Sequence, residues 1–393
     1  MDEILLKYGC NPNQLPAKLS MRDGGQLPLE VLNGKPGYIN FMDALNAWQL
    51  VKALKAAAQI PAAASFKHVS PAGAALGVPL SIESQKAFFV EDITGLNDSP
   101  IACAYARARG ADRLSSFGDF IALSDTCDVT CARIIAREVS DGIIAPGYDQ
   151  NALYILRQKR QGNFSIIQID PDYLPSKMET RDIFGITFSQ RFNDAAIDDS
   201  LLKRIVTKNQ DLPKKAAIDL LVSLITLKYT QSNSVCLAKD GQAIGIGAGQ
   251  QSRVHCVRLA ADKADMWHLR HHPKTLALQF LPDIGRAARD NAIEAFLLNG
   301  QAAFLKGKWQ ALFAHEPDYI TAQEKQEYLA GLSGVSLGSD AFFPFPDSIL
   351  RAANSGVSYL AQPGGSVRDE EVIACCDEHN MLMAMTGLRL FHH

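Results

Sequence analysis

Two adjacent residues, Lys67 and His68, are the first candidates for chemistry in this sequence. They stand in the segment Ser65-Phe-Lys-His-Val-Ser-Pro-Ala-Gly73, just before a turn predicted at Pro71 and Gly73. If the preceding segment is a strand, its end presents a cation and a titratable imidazole together at the edge of a sheet. Such a pair can take a proton from a weak nitrogen nucleophile and stabilise the charge that develops on the acceptor. The alternative interpretation is a solvated turn, which a Lys-His pair forms more often.

Asn233 and Arg253 mark a second polar region. Arg253 follows Gly245-Ile-Gly-Ala-Gly-Gln-Gln251, which is neither a dinucleotide fingerprint nor a P-loop. These glycines are therefore also consistent with close backbone packing in a strand. Because Arg253 stands near the start of a predicted helix, its guanidinium and the helix amides favour an anion such as phosphate. Asn233 could hold a ligand amide, and an Asx turn is the alternative.

The composition excludes several classes of protein. The 393 residues are 47% hydrophobic and 21% charged, and the net charge is −3 with no long basic tract. This argues against nucleic acid as the main partner. No apolar run approaches the roughly 20 residues of a membrane span, and the acidic N-terminus predicts no secretory signal.

The eight cysteines predict neither a disulfide framework nor a zinc site. None forms a Cys-x-x-Cys pair, and Cys127 and Cys131 have no His or Cys nearby at a plausible zinc spacing. We interpret Cys256 and the adjacent Cys375 and Cys376 as core or helix positions. This usage favours a reducing, cytoplasmic compartment.

The elements that must position the candidates alternate between helix and strand, which predicts an α/β layered fold. Helices are predicted over 41–58, 101–110, 130–138 and 151–160, with strands over 63–69, 120–124 and 142–145. A polar, proline-containing connector over about 170–215 follows. The pattern then restarts with a helix over 216–229, strands near 234–238 and 242–248, and a helix over 252–264. We interpret this as a helix–strand–strand–helix–strand unit used twice, in subdomains 1–200 and 201–393.

Several segments together resemble one family, the 5-aminoimidazole-4-carboxamide ribonucleotide (AICAR) transformylase half of the bifunctional purine-synthesis enzyme. The matching segments begin at Tyr8, Phe66, Ala104, Ser116, Ser140, Lys228, Gly245, Asp340 and Leu388, and they span residues 7–393 in order. The longest include Phe66-Lys-His-Val-Ser-Pro-Ala-Gly and Lys228-Tyr-Thr-Gln-Ser-Asn-Ser-Val. The chain therefore looks like a stand-alone transformylase, without the IMP cyclohydrolase half.

This resemblance implies a fold and a reaction. The fold is a duplicated cytidine-deaminase-like three-layer α/β/α unit without zinc. The reaction moves a formyl group from 10-formyltetrahydrofolate to the 5-amino group of AICAR, a poor nucleophile because its lone pair is delocalised. By resemblance, His68 is the base, Lys67 stabilises the oxyanion or protonates the departing folate nitrogen, and Asn233 holds the carboxamide or formyl oxygen.

The resemblance also implies binding residues and a partner. The expected nucleotide contacts are Lys7, Tyr8, Gly118, Asp141, Arg253, Phe342 and Arg389. The expected folate contacts are Val254, Asp347, Ser366 and Val367. The oxygens suited to a potassium ion belong to Thr230, Ser232, Ser234 and Asp340. The family is a homodimer with active sites at the interface, so a second copy of the chain is the expected partner, with no nucleic acid and no membrane.

Three positions depart from the family pattern. Lys7 stands where the family has an Arg that contacts phosphate. The ammonium group of Lys binds phosphate as a point charge and lacks the two parallel donors of a guanidinium. Asn13 replaces a common His, and Pro346 replaces an Arg. Two other functions stay open from the sequence: an ATP- and formate-dependent synthetase, which lacks a P-loop here, and a catalytically silent nucleotide-binding regulator or scaffold.

Overall fold

Strands and helices alternate along most of the chain. A computed structural model describes residues 3–393. The strands of this range are β1 (Glu3–Leu6), β2 (Ala17–Ser20), β3 (Leu29–Asn33), β4 (Ala62–Lys67), β5 (Ser70–Leu76), β6 (Asp119–Leu123), β7 (Ser140–Ala145), β8 (Ser165–Ile169), β9 (Met178–Ile183), β10 (Ile186–Arg191), β11 (Val235–Lys239), β12 (Gln242–Gly247), β13 (Val335–Ser339), β14 (Val357–Gln362) and β15 (Leu382–Met385). Its α-helices are α1 (Tyr38–Ala58), α2 (Ile82–Ala87), α3 (Pro100–Gly110), α4 (Val129–Arg137), α5 (Gln150–Gln158), α6 (Lys214–Lys228), α7 (Arg253–Arg270), α8 (Pro273–Leu276), α9 (Arg286–Asn299), α10 (Ala322–Ala330), α11 (Asp347–Ala353) and α12 (Asp369–Glu378).

Eleven of these strands form one mixed sheet, in the order β15-β14-β13-β11-β12-β5-β4-β6-β7-β8-β3. Side chains alternate between its faces, so each face builds its own core. In β4, Ala64 and Phe66 pack with α1 and α6, whereas Ala63 packs with α3 on the opposite face. Helices α4 and α5 extend that second layer in the first half, and α7, α11 and α12 form it in the second half. The predicted α/β class is confirmed, with helices on both faces of the sheet.

The same pairing scheme occurs in the two halves of the sheet. In the first half, β4 pairs antiparallel with β5 and with β6, and β7 and β8 continue in parallel. In the second half, β11 pairs antiparallel with β12 and with β13, and β14 and β15 continue in parallel. The second half also contains an additional helical segment, α8 to α10, with an apolar core of its own around Phe296 and Phe313.

The two halves meet where β5 lies beside β12. Their pairing is antiparallel and centres on Ala75 opposite Gln242, with the amide of Leu76 donating to Gly241 O at 2.8 Å. Gln242 is fully buried, and its Nε2 donates to Arg107 O at 2.8 Å. The sheet is therefore continuous through the middle of the chain.

The glycines of β12 allow close packing, which is the interpretation that the sequence analysis offered for them. A Cβ on Gly245 would lie 2.1 Å from Ala260 O, and one on Gly247 would lie 2.3 Å from Cys256 O. Both carbonyl oxygens belong to α7, so only glycine lets this helix approach the strand so closely.

The three cysteines that we assigned to core or helix positions, Cys256, Cys375 and Cys376, are buried.

The turn predicted at Pro71 and Gly73 is wrong. Both residues lie inside β5, and the chain reverses earlier, at His68 and Val69. Gly73 is there because a Cβ would lie 2.0 Å from Ala108 O in α3, rather than because the chain turns. Pro71 is tolerated because β5 pairs with β12 at Ala75, at the other end of the strand from Pro71.

The predicted connector contains an element of its own. β9 and β10 form a separate antiparallel ribbon, and the loop between them consists of Phe184 and Gly185, both with positive φ. Most residues of the ribbon are exposed on both faces. The usual signal of one buried face is therefore weak, which explains why the sequence predicts only a connector here.

No helix within residues 3–393 is long and apolar enough to cross a membrane.

Candidate active site

One end of the central sheet carries most of the candidate residues. Because β4 and β6 are antiparallel, Lys67 at the end of β4 lies beside the start of β6, which Gly118 precedes. β7 runs parallel to β6, so Asp141 near its start lies at the same end. We call this end of the strands the site end.

The second half presents its candidates at the site end too. β12 runs antiparallel to β5 and β11 antiparallel to β12, so Asn233, just before β11, lies at the same end as the start of β5. β13 runs antiparallel to β11, which places Asp340 there. β14 and β15 run parallel to β13, so the segments that follow them, with Ser366 and Arg389, also leave from the site end.

Lys67 lies against the loop that precedes β6. Its Nζ donates to Phe117 O at 2.7 Å, and the side chain is half-buried. The next residue, Gly118, has a φ of +77° and an open space where a Cβ would stand. A ligand could therefore approach the backbone of Gly118 while staying within reach of the ammonium group of Lys67.

A buried ion-pair network supports this loop from below. Arg109 donates to Ser116 O at 2.9 Å, to Asp119 at 3.0 Å and to Glu138 at 3.0 Å. All four residues are buried. Arg109 therefore holds the residues on both sides of Gly118, namely Ser116 and Asp119.

His68 forms the tip of the β4–β5 hairpin. Lys67 pairs with Ser70, so His68 and Val69 are the two loop residues, with φ of +55° and +60°. Neither residue is a glycine, and Val is β-branched, so each left-handed conformation costs about 1–3 kcal/mol. The imidazole of His68 is exposed. The predicted pair of adjacent Lys and His is therefore displayed at the site end by a strained hairpin loop.

A residue that the sequence analysis did not single out, Asp43, holds this loop. Its Oδ1 accepts the amide of Val69 at 2.6 Å, although Asp43 is only 5% exposed. Burial raises the pKa of Asp43 to about 6, against the opposing effects of the Val69 amide and of the charge on His68. A carboxylate on the apolar face of a helix is the sequence signal that could have identified it.

Asp141 has an ion-pair partner that the sequence analysis also missed. Arg160 Nη1 donates to Asp141 Oδ1 at 2.8 Å, and both side chains are about half exposed. This partner comes from the segment after α5. Asp141 is therefore accessible to a ligand but is not an isolated negative charge.

Asn233 and Arg253 contact each other directly. Arg253 Nη2 donates to Asn233 Oδ1 at 3.0 Å, and Asn233 Nδ2 donates to Gln250 O at 2.8 Å. Arg253 Nη1 also donates to Ser234 O at 2.9 Å and forms an ion pair with Asp340. With Arg253 only 7% exposed, its guanidinium already has three protein acceptors. Such an arrangement orients the Asn233 amide, and the positive charge of Arg253 is already paired with Asp340.

Of the four residues suggested for binding a cation, Ser232 and Ser234 contact Asp340, and Thr230 does not. Asp340 Oδ2 accepts the hydroxyl of Ser232 at 2.6 Å and the amide of Ser234 at 2.9 Å. The buried hydroxyl of Ser234 lacks a hydrogen-bond partner among the described residues. Thr230 instead donates its hydroxyl to Thr226 O at 2.7 Å. Within residues 3–393, no group of three or more His, Cys, Asp or Glu side chains is arranged to hold a metal ion.

The C-terminal segment is hydrogen-bonded to Ser232 and Asp340. Ser232 N donates to His392 O and His392 N donates to Ser232 Oγ, both at 3.0 Å, while Leu390 N donates to Asp340 O at 2.9 Å. Arg389 is exposed and its guanidinium lies 4.7 Å from the ring centre of Phe391. The C-terminus is thus fixed to the fold.

The remaining candidates are mostly exposed. Phe342 is 42% exposed, and Asp347 starts α11 with an exposed side chain. Val367 is fully exposed, and the Ser366 hydroxyl accepts the amide of Arg368 at 3.2 Å.

Three candidates lie on other elements. Val254 is half-buried in the first turn of α7. Lys7 and Tyr8 follow β1, where the ammonium of Lys7 lies 5.8 Å from the ring centre of Tyr8. Because β1 belongs to a separate two-stranded sheet, the strand order alone does not bring this pair to the site end.

The candidates therefore form two groups within one chain. Lys67, His68, Gly118 and Asp141 surround the ends of β4, β6 and β7, whereas Asn233, Arg253 and Asp340 surround the ends of β11 and β13. β5 and β12 lie between the groups. β4, which ends with Lys67, and β11, which Asn233 precedes, are thus three strand spacings apart, about 14 Å.

The sequence is similar to a known protein family and to named bacterial proteins. A family model described as AICARFT/IMPCHase bienzyme matches residues 2–263. The bifunctional purine biosynthesis protein PurH of Cereibacter sphaeroides is 32% identical over 391 residues, covering 99% of this chain and 59% of the relative. PurH of Magnetococcus marinus is 29% identical over 394 residues, with the same coverage of each chain.

The chain spans about three fifths of the length of the curated relatives it matches. The alignment nevertheless runs through both halves of the sheet, and so through both groups of candidate residues. With a family model that matches well over half of its residues as well, the chain belongs to the AICARFT/IMPCHase bienzyme family.

Proposed function

We propose that this chain transfers a formyl group from 10-formyltetrahydrofolate to the 5-amino group of AICAR, giving the formylated ribonucleotide FAICAR in purine (IMP) biosynthesis. One observation carries the proposal. An adjacent Lys and His stand at the tip of a hairpin at the site end, in a chain that aligns over 99% of its length with proteins named for purine biosynthesis.

The chemistry assigns a role to each member of the pair. The amine nitrogen of AICAR attacks the formyl carbon, and His68 accepts the proton that the amine loses. The tetrahedral oxyanion then collapses, the bond from the formyl carbon to the folate nitrogen breaks, and that nitrogen takes up a proton. Lys67 stabilises the oxyanion or supplies this proton. An exposed imidazole next to a half-buried ammonium group suits both steps.

Residues of both groups, together with several outside them, would bind the nucleotide. We assign the carboxamide or the formyl oxygen to Asn233, whose amide is oriented by Arg253. The nucleotide contacts that we propose are Lys7, Tyr8, Gly118, Asp141, Arg253, Phe342 and Arg389. The open backbone at Gly118 and the exposed guanidinium of Arg389 support their places in this set.

The folate would lie on the side of α11 and of the segment after β14. We assign it to Val254, Asp347, Ser366 and Val367. Val367 is completely exposed and is therefore accessible to a ligand.

A homodimer would complete each site. In one chain, the strands β4 and β11 next to Lys67 and Asn233 are about 14 Å apart, with β5 and β12 between them. We propose that a two-fold partner brings its own Asn233 to the Lys67-His68 pair, so that each site lies at the interface of two copies.

A potassium ion is the cation that we propose near Asp340. The donor set fits a hard monovalent cation, since the buried Ser234 hydroxyl still needs a partner and Asp340 supplies a carboxylate. Ser232, Ser234 and Asp340 would hold the ion, with Thr230 behind them. Its positive charge would help fix the loop that presents Asn233.

We further propose that the fold is a duplicated cytidine-deaminase-like unit, divided as 1–200 and 201–393. The shared pairing scheme of the two halves supports this proposal.

The compartment that we propose is the reducing cytoplasm. The free cysteines, all buried except Cys10, support it.

The test is a direct assay. Purified protein is mixed with AICAR and 10-formyltetrahydrofolate without ATP, and folate absorbance is followed. We expect tetrahydrofolate to form in proportion to the AICAR consumed. Nucleotide binding without turnover would instead identify a silent regulator or scaffold. Turnover that requires ATP and formate would identify a synthetase.

A further inference from the structure

The two halves of the chain contain the same small device at the tips of equivalent hairpins. Each hairpin, β4–β5 and β11–β12, closes with a two-residue loop between paired flanking residues. The loops are His68-Val69 and Asp240-Gly241, and all four residues have positive φ, between +55° and +75°. Positive φ at both positions is what a type I′ turn requires.

In each half, a buried aspartate from the preceding long helix accepts amides of this loop. Asp43 of α1 accepts the amide of Val69 at 2.6 Å. Asp219 of α6 accepts the amides of Asp240 at 3.0 Å and Gly241 at 2.6 Å. Both aspartates are almost completely buried, at 5% and 2% exposure.

The two loops differ in how well their sequences suit this shape. Asp-Gly is among the preferred pairs for a type I′ turn, so Asp240-Gly241 adopts it with little strain. His-Val is a poor pair, since Val69 is β-branched and disfavours positive φ. The first loop therefore depends on its buried aspartate much more than the second loop does.

The loops also differ in their place in the molecule. Because β11 starts at the site end, its loop with β12 lies at the opposite end of the sheet. The His68-Val69 loop lies at the site end, next to Lys67. The device thus holds a candidate base in one half and only a structural turn in the other.

We propose that Asp43 is a positioning residue, whose carboxylate holds the His68-Val69 loop in its left-handed conformation and thereby aims the imidazole of His68 at the substrate. The catalytic consequence rests on the proposed function. Two groups interact with Asp43 by charge, namely His68 from the loop and Asp141 from β7.

The chain provides its own control, Asp219, which has the same burial and the same kind of contact but lies at the other end of the sheet. Four proteins are compared with the wild type: Asp43→Ala, Asp43→Asn, Asp219→Ala and the double variant Asp43→Ala with Val69→Gly. Circular dichroism gives the folded fraction of each, and all rates are expressed per folded molecule.

The first measurement does not depend on activity. Labelling with ¹³C-carbonyl histidine and ¹⁵N-valine identifies the amide of Val69, because His68-Val69 is the only His-Val pair in the sequence. Its hydrogen-exchange rate and proton shift are recorded. We expect Asp43→Ala to accelerate exchange by at least about tenfold, because the amide loses its acceptor, and Asp43→Asn to move the proton shift upfield. Asp219→Ala should change neither. An unchanged Val69 amide in Asp43→Ala overturns the proposal, whether or not the protein transfers formyl groups.

The second measurement is the formyl-transfer rate. Asp43→Ala should lower kcat by about 10²-fold and change KM for AICAR by less than about threefold, since a displaced base slows the chemical step without removing binding contacts. The double variant with Val69→Gly should have a kcat at least about tenfold higher than Asp43→Ala alone, because glycine adopts positive φ without a supporting hydrogen bond. Asp219→Ala should keep kcat within about twofold.

Two results of the second measurement contradict the proposal. One is an equal kcat in Asp43→Ala and wild type, and the other is the same loss in Asp219→Ala as in Asp43→Ala. If the wild-type protein transfers no formyl group at all, the proposed function fails, and the exchange of the Val69 amide still decides whether Asp43 holds the loop.

Discussion

Arg253 donates to the side-chain oxygen of Asn233 at 3.0 Å and at the same time forms a buried ion pair with Asp340. The guanidinium of Arg253 thus orients the Asn233 amide and neutralises the carboxylate of Asp340. Since Arg253 is the first residue of α7, it connects both side chains to the start of that helix. Its contribution to stability and its contribution to binding can be separated by experiment.

Arg253→Ala should destabilise the fold by about 3–5 kcal/mol, because it leaves the fully buried Asp340 as an unpaired charge. Asp340→Asn in the same background should recover part of this loss, since the unpaired charge is then gone. Urea unfolding of the two variants tests this. A single variant as stable as the wild type would show that Asp340 finds another partner or a proton.

Arg389 differs from Arg253 because it is exposed and lies over Phe391 rather than in a buried ion pair. If it contacts the phosphate of AICAR, Arg389→Ala should weaken AICAR binding by about 1.5–3 kcal/mol, the value of a hydrogen bond to a charged group. The dephosphorylated riboside should lose much less. Isothermal titration with both ligands measures the difference, and equal losses would place Arg389 away from the phosphate.

The network beneath Gly118 should make the protein sensitive to acid. Burial raises the pKa of Glu138, but Arg113, Arg109 and Arg286 outweigh this effect and lower it to about 2. Because the unfolded state takes up a proton near the ordinary pKa of 4.5 and the folded state only near 2, the stabilisation by Glu138 is complete above about 4.5. It is lost progressively as the pH falls from about 4.5 to about 2.

The measurement for Glu138 is the free energy of unfolding of the wild type and of Glu138→Gln between pH 7 and pH 3. Other carboxylates titrate in this range, so the difference between the two proteins is the quantity of interest. We expect the wild type to be more stable at pH 7 and its advantage to shrink steadily below about pH 4.5. A constant difference would contradict the assigned direction of the shift.

A shared site predicts complementation between two inactive proteins. Lys67→Ala and Asn233→Ala should each be inactive alone. If each site uses Lys67 from one subunit and Asn233 from the other, half of the dimers in a refolded equal mixture are mixed, and each mixed dimer has one intact site. Activity should then return to about a quarter of the wild-type value.

The control for complementation is a mixture of Lys67→Ala with His68→Ala, two residues of one hairpin that belong to the same site. It should stay inactive. No recovery in the first mixture would mean that Lys67 and Asn233 act from the same chain, across the two strands that separate them. Full activity of a monomer would exclude the shared site altogether.

Much of the fold could be predicted from the sequence because the helices and buried strands have strong local patterns. The predicted helix over 41–58 corresponds to α1, and that over 101–110 to α3. The ribbon of β9 and β10 could not be predicted in the same way, since it has no buried face. The turn at His68 and Val69 was also missed, because its conformation is imposed by Asp43 and the flanking strands against the preferences of the two residues.

The site could be predicted only in part, for a related reason. Lys67 and His68 are neighbours in sequence, so their proximity needs no knowledge of the fold. Asp43 lies 26 residues from Val69, and Arg160 lies 19 residues from Asp141, so these contacts exist only after the chain has folded. The ion pair between Arg253 and Asp340 joins residues 87 apart and was likewise invisible in the sequence.

The most direct test of the account is the formyl-transfer rate of His68→Ala beside the wild type, with AICAR binding measured on the same samples. The exposed imidazole at the hairpin tip is assigned only proton transfer, which contributes about 10²–10⁴ in rate. We therefore predict that transfer falls by at least about 10²-fold while the Kd for AICAR stays within about tenfold. Near-normal turnover in this variant would contradict the central claim that the Lys67-His68 pair carries the reaction.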